Sequence, residues 1–101
     1  MRYEWDEAKN RRNQRKHGIS FETAALVFED EHCLIDSDRI DENTGEERWH
    51  AIGIPVTAMG AVLLVVHVYR RNRHDEETIR IISAREADQH DIRRYQAPEN
   101  S

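Results

Sequence analysis

The chain has 101 residues, of which 38% are hydrophobic and 35% charged, with only 4 glycines and 2 prolines. That length makes one domain, and the composition excludes collagenous, low-complexity and membrane-embedded chains. The net charge of -5 hides a division: from Glu29 to Glu47 nine acids stand against one base, Arg39, which is -8, so the remainder is +3.

A basic surface apart from an acidic one suits an anionic substrate on one side and a cationic partner on the other. The longest apolar run, Ala61 to Val66, falls far short of the roughly 20 residues of a membrane helix. The charged start Met1-Arg2-Tyr3-Glu4-Trp5-Asp6 lacks a signal-peptide core, so a cytoplasmic protein without membrane contact is expected. Cys33 is the single cysteine and offers neither an internal disulfide nor a zinc knuckle.

In chain order, Tyr3 and Trp5 flank Glu4 in a short alternating segment that reads as a possible edge strand. Asp6 is the N-cap of a helix through about His17, and Gly18 stops it. This helix has almost no apolar stripe; Lys9, Arg11, Arg12, Arg15 and Lys16 make it basic, which invites phosphate or an acidic partner. Ser20 caps a second helix whose Phe21, Ala24, Ala25 and Phe28 share one core face.

Cys33, Leu34 and Ile35 open the strand region, and Asn43-Thr44-Gly45 marks a turn within a polar stretch. Arg48 to Ile54 alternates, with Arg48, His50, Ile52 and Ile54 on one face, and Pro55 ends it. Ala58-Met59-Gly60 turns into Ala61 to Arg70, apolar on both faces and therefore a central strand. Arg71 to Glu77 reads as a loop and Thr78 to Ser83 as the last strand.

Ser83-Ala84-Arg85-Glu86 has the capping-box pattern of a helix start, with Ala84, Ala87, Asp91 and Tyr95 on one face of the closing helix. These elements predict an α+β domain over residues 1–95: a mostly antiparallel four-stranded sheet, two N-terminal helices and a C-terminal helix. Residues 96–101 read as a frayed polar tail.

Six histidines show no metal-ligand spacing, no glycine-rich phosphate loop exists, and Ser20 and Ser83 are better explained as caps than as nucleophiles. The sequence therefore gives no sign of a metal or cofactor. What remains is an arginine constellation: Arg80 and Arg85 about a strand-to-helix junction, with Arg70, Arg71 and Arg73 on the preceding loop. Guanidinium groups beside a helix N-terminus would grip a phosphate and stabilise added negative charge. The alternative reading of Arg80 and Arg85 is a structural salt bridge to one of the many carboxylates.

Lys16-His17-Gly18-Ile19-Ser20-Phe21-Glu22, preceded by Glu4-Trp5-Asp6-Glu7-Ala8-Lys9 and followed by Arg80-Ile81-Ile82-Ser83-Ala84-Arg85, resembles the BrnT family of type II toxins, from about Tyr3 to Tyr95. The resemblance implies a RelE-like fold and a metal-independent ribonuclease that inhibits translation. It also implies neutralisation by a BrnA-type ribbon-helix-helix antitoxin, with which the toxin represses its own operon through operator DNA.

Such an enzyme must deprotonate a ribose 2′-OH, stabilise charge on the phosphate and protonate the leaving 5′-oxygen. His17, Lys16, Arg80 and Arg85 are the catalytic candidates; Arg12, Arg70, Arg71 and Ser83 are the substrate-binding ones. Histidine is the residue type that exchanges a proton near neutral pH, which puts His17 first as acid or base; a C-terminal helix cap is its alternative reading. Glu47, His50, His67 and Tyr95 stand in reserve. Trp5 reads as core or as a base-stacking platform. A basic module that binds RNA or protein without cutting is the alternative function, and a DNA-binding repressor a weaker third.

Overall fold

Local side chains set the boundaries of the N-terminal helices in the computed structural model, which describes residues 2–57 and 60–97. Asp6 accepts from the backbone N–H groups of Ala8 and Lys9 and starts α1 (Glu7–His17), and Gly18 ends it with a left-handed φ of 71°. Ser20 accepts from Thr23 N–H at the start of α2 (Phe21–Ala25). The second helix is shorter than its apolar spacing predicts, because the chain tightens into a 3₁₀ turn over Leu26–Glu29.

The strands are β1 (Arg2–Glu4), β2 (Leu34–Ile40), β3 (Glu47–Gly53), β4 (Leu63–Arg71) and β5 (Glu77–Glu86), followed by α3 (Gln89–Gln96). They form one sheet in the order β1-β5-β4-β3-β2. The α+β architecture stands with five strands rather than four: the short Tyr3 segment pairs in parallel with β5, and every other pairing is antiparallel.

Three expectations need correction. Ser83 to Glu86 is strand, not helix, and the capping box sits at Asp88 and Asp91 instead. The Ser-x-x-Glu pattern is overridden because β4 is long enough to pair through Leu63 opposite Glu86. Arg85 is therefore a strand residue, and Ala84 and Ala87 do not share a helix face with Asp91. Arg70 and Arg71 end β4 rather than lying in a loop, which is confined to the turn before Glu77. Ala58 and Met59 of the expected turn lie outside the described residues, as do 98–101 of the expected tail; Gly60 has φ +90° and Gln96 closes α3.

One sheet face, carrying Ala51, Leu63, Val65, Ile79, Ile81 and Ala84, packs with Phe21, Ala24 and Val27 into the core. Phe21 is wholly buried, worth roughly 2–3 kcal/mol relative to exposure. Gly53 sits where the sheet meets the 3₁₀ turn, and a Cβ there would be crowded, 3.0 Å from the Val27 side chain and 3.1 Å from the Asp30 carboxylate. On the opposite face Ile52, Leu64 and Val68 are buried, and α3 packs at the β3 end. Arg85 to Asp91, Arg94 to Asp36 and Tyr95 to Asp30 tie that helix down.

Candidate functional site

The first helix is docked by amides rather than by oil. Its buried residues are Asn10 and Asn13, one turn apart on the inner side. Asn13 Nδ2 donates to the carbonyls of Ile19 (2.9 Å) and Ala84 (2.8 Å), and its Oδ1 accepts from Ala84 N–H (3.1 Å). Asn10 accepts from Phe21 N–H (2.8 Å) and donates to Glu7 and Glu22. Because β1 covers β5 only as far as Arg80, Asn13 also satisfies backbone groups that the open edge at Ala84 would leave unpaired.

With its inner face fixed in this way, α1 turns its bases outward. A groove of about 440 Å³ runs between α1 and β5, lined by Lys9, Arg12, Asn13, Lys16, His17, Ile82 and Ser83. The β5 side is shaped by a bulge: Ser83 pairs with Val66 and Ile81 with His67, which leaves Ile82 as the extra residue. Among the described residues no carboxylate lies within salt-bridge distance of Lys9, Arg11, Arg12, Arg15 or Lys16. His17, at the C-terminal end of α1 with Arg15 and Lys16, is exposed.

Four sequence candidates thus meet in one groove: Arg12, Lys16, His17 and Ser83. The arginines of the sheet do not join them there. Arg80 lies opposite Val68, Ser83 opposite Val66 and Arg85 opposite Leu64, so the three share a face in that order. At strand rise, the Cα atoms of Arg80 and Arg85 are about 13 Å apart, with Ser83 about midway.

Each of these arginines has an acid. Arg80 lies 3.9 Å from Glu4, a loose pair, and Arg85 3.1 Å from the buried Asp91. Arg70 grips Glu46 through two bonds (2.9 and 3.0 Å); Arg71 lies 3.7 Å from Asp75. The Arg70 hydrogen bonds, with Arg80 and Arg48 adding positive charge, hold the Glu46 carboxyl below its ordinary range. Arg48, which pairs with Asp41 at 3.0 Å, is not among the sequence candidates. The signal for it is the alternation that sets Arg48 and His50 on one face of β3.

The reserve residues have structural occupations. His67 is fully buried between Phe28 and Tyr69, and burial pushes it down to about 4. Tyr95 donates to Asp30 at 2.5 Å, and burial together with that carboxylate pushes it up to about 12. Glu47 accepts from Ser37, and His50 Nε2 lies 3.3 Å from Asp38. Trp5 packs edge-to-face on Phe21 at 6.2 Å. Asp88, His90 and Asp91 bring ligand-type atoms within 4.8 Å of one another, but the two aspartates already cap α3 and Asp91 carries Arg85.

The family model described as "Ribonuclease toxin, BrnT, of type II toxin-antitoxin system" matches residues 5–91. No curated protein matches the chain.

Proposed function

The chain belongs to the family of BrnT ribonuclease toxins of type II toxin–antitoxin systems, and from that premise we propose metal-independent cleavage of RNA bound along the groove between α1 and β5. The observation that carries this reading is the row of α1 bases without acidic partners beside an exposed imidazole. A polyanion can engage those bases without first displacing a carboxylate.

Arg12 and Lys16 hold the RNA backbone, and Ser83 offers a hydroxyl on the opposite wall. The substrate's 2′-oxygen attacks phosphorus and the bond to the 5′-oxygen breaks, leaving a 2′,3′-cyclic phosphate and a 5′-OH. His17 is the group through which the proton passes, with Lys16 beside it favouring negative charge in the transition state. Arg80, whose pair with Glu4 is long at 3.9 Å, stabilises the added charge. Arg85 meets a neighbouring phosphate of the same strand, and Arg70 and Arg71 are outer contacts. The toxin acts in the cytoplasm. A BrnA-type antitoxin with a ribbon-helix-helix domain neutralises it, and the pair represses its operon through operator DNA.

The test is to incubate antitoxin-free protein with RNA in excess EDTA and read fragment end groups, beside Arg80→Ala, Arg85→Ala and His17→Ala variants checked by circular dichroism. Cyclic-phosphate ends made by the wild type and lost in folded variants are expected. Absence of cleavage by the folded wild type, with or without ribosomes, overturns the catalytic reading in favour of a binding module.

A further inference from the structure

The edge of the sheet farthest from the groove has a different chemistry. Strand β2 is last in the order β1-β5-β4-β3-β2, so its outer backbone groups have no strand partner among the described residues. Such an edge is a template for another chain. The segment around it holds the -8 charge. Most of its aspartates are engaged, Asp36 by Arg94, Asp38 by Arg39 and His50, Asp41 by Arg48. Glu29, Glu31, Glu42 and Glu47 are exposed, and among the described residues none has a lysine or arginine within salt-bridge distance.

Apolar surface gathers on the same side. Among the described residues the exposed large hydrophobic ones are Ile35 (40%), Ile40 (64%) and Val56 (82%), two of them on β2. Just before β2 a cleft of about 370 Å³ opens, lined by Leu26, Glu29, Asp30, Ile54, Val56 and Tyr95 among others. Its floor is fixed by Asp30, which accepts from Tyr95 Oη and from Ile54 N–H (2.8 Å). Glu31 has only the neighbouring His32 at 3.6 Å and Glu47 only the Ser37 hydroxyl, so an open strand edge, an apolar cleft and glutamates without a lysine or arginine partner coincide.

We propose that this edge is where the antitoxin docks, as an extended cationic segment that adds a strand beside Leu34–Ser37 and seats an apolar side chain in the cleft. The β2 bulge, between Ser37 and Arg39, breaks the edge there and limits the added strand to the stretch next to the cleft. Charge selects the occupant. RNA is repelled, and a second copy of this chain would bring its own acidic segment against this one, whereas a basic segment is attracted. Backbone bonds supply affinity and the cleft supplies choice of side chain. The inference rests on the existence of a cognate antitoxin and not on the cleavage chemistry.

The experiment takes the full chain with its cognate antitoxin and measures affinity by calorimetry and amide exchange in the complex. Backbone amides of Leu34–Ser37 are expected to become protected. Glu29→Lys/Glu31→Lys and, separately, Val56→Asp are expected to weaken binding by about tenfold or more. The charge-reversed chain should still cut RNA and resist neutralisation. Unchanged affinity in both variants, or protection confined to α1, overturns the proposal. A wild type that protects β2 with antitoxin yet cuts no RNA overturns the cleavage reading and leaves this one standing.

Discussion

The helix α1 and the sheet carry comparable numbers of cations but use them differently. Its bases Lys9, Arg11, Arg12, Arg15 and Lys16 have no carboxylate in salt-bridge range among the described residues, while the strand arginines Arg2, Arg39, Arg48, Arg70, Arg71, Arg80 and Arg85 each have one. A paired arginine must give up its acid before it can hold a phosphate, and an exposed pair contributes little to stability, about 0–1 kcal/mol. Arginine content alone therefore locates no binding surface, because most of the sheet's guanidinium groups are already occupied. The same split divides the histidines, with His17 exposed and His67 sealed in the core.

The most disruptive way to break this comparison is to undock the helix. Asn13→Ala removes three hydrogen bonds and leaves Ala84 backbone groups unsatisfied on the inner side. A loss of about 3 kcal/mol is expected, read from urea unfolding, with RNA cleavage lost at temperatures where the variant is still largely folded.

Acid tests the buried side. His67 sits at about 4 when folded against 6.5 when exposed. Between those values the unfolded chain binds a proton that the folded chain refuses, so the part of the stability that depends on His67 is greatest above pH 6.5, falls as pH drops towards 4 and changes no further below. The loss is at most about 3 kcal/mol. Replacing His67 with Leu should flatten that part of the stability profile; a slope that survives would place the acid sensitivity elsewhere.

Removing free cations comes next in size. Arg12→Ala/Lys16→Ala should weaken RNA affinity by about tenfold and lower the salt slope by roughly 1.4, two contacts at about 0.7 each for a single strand. Fluorescence anisotropy over a salt series measures both. The smallest effect belongs to Arg70→Ala, less than about threefold in affinity, since Glu46 already occupies that guanidinium. Equal losses in the two experiments would erase the distinction between helix and sheet.

Much of this architecture was legible because it is local. Asp6, Gly18 and Ser20 act on backbone groups a few residues away, so the helix ends could be read directly. Ser83 to Glu86 satisfied a local pattern too and was still strand, because its partners lie on β4 and at Asn13, 71 positions from Ala84. The groove followed the same rule. Its basic wall was visible as a run of charge, whereas the inward amides of Asn10 and Asn13, the bulge at Ile82 and the separation of Arg80 from Arg85 depend on distant pairing. The acids that occupy the sheet arginines were equally hidden, Glu4 for Arg80 and Asp91 for Arg85.

The parallel pairing of β1 with β5 sets when the groove can form. β1 pairs with residues 77–86 and α1 packs on them, so the seating of both is incomplete until β5 is present. A nascent polypeptide emerging from the ribosome has a basic helix but no opposite wall until β5 has been translated. High contact order of this kind slows folding. In this chain it also means that a prematurely terminated product lacking β5 has no groove, whatever charge it carries.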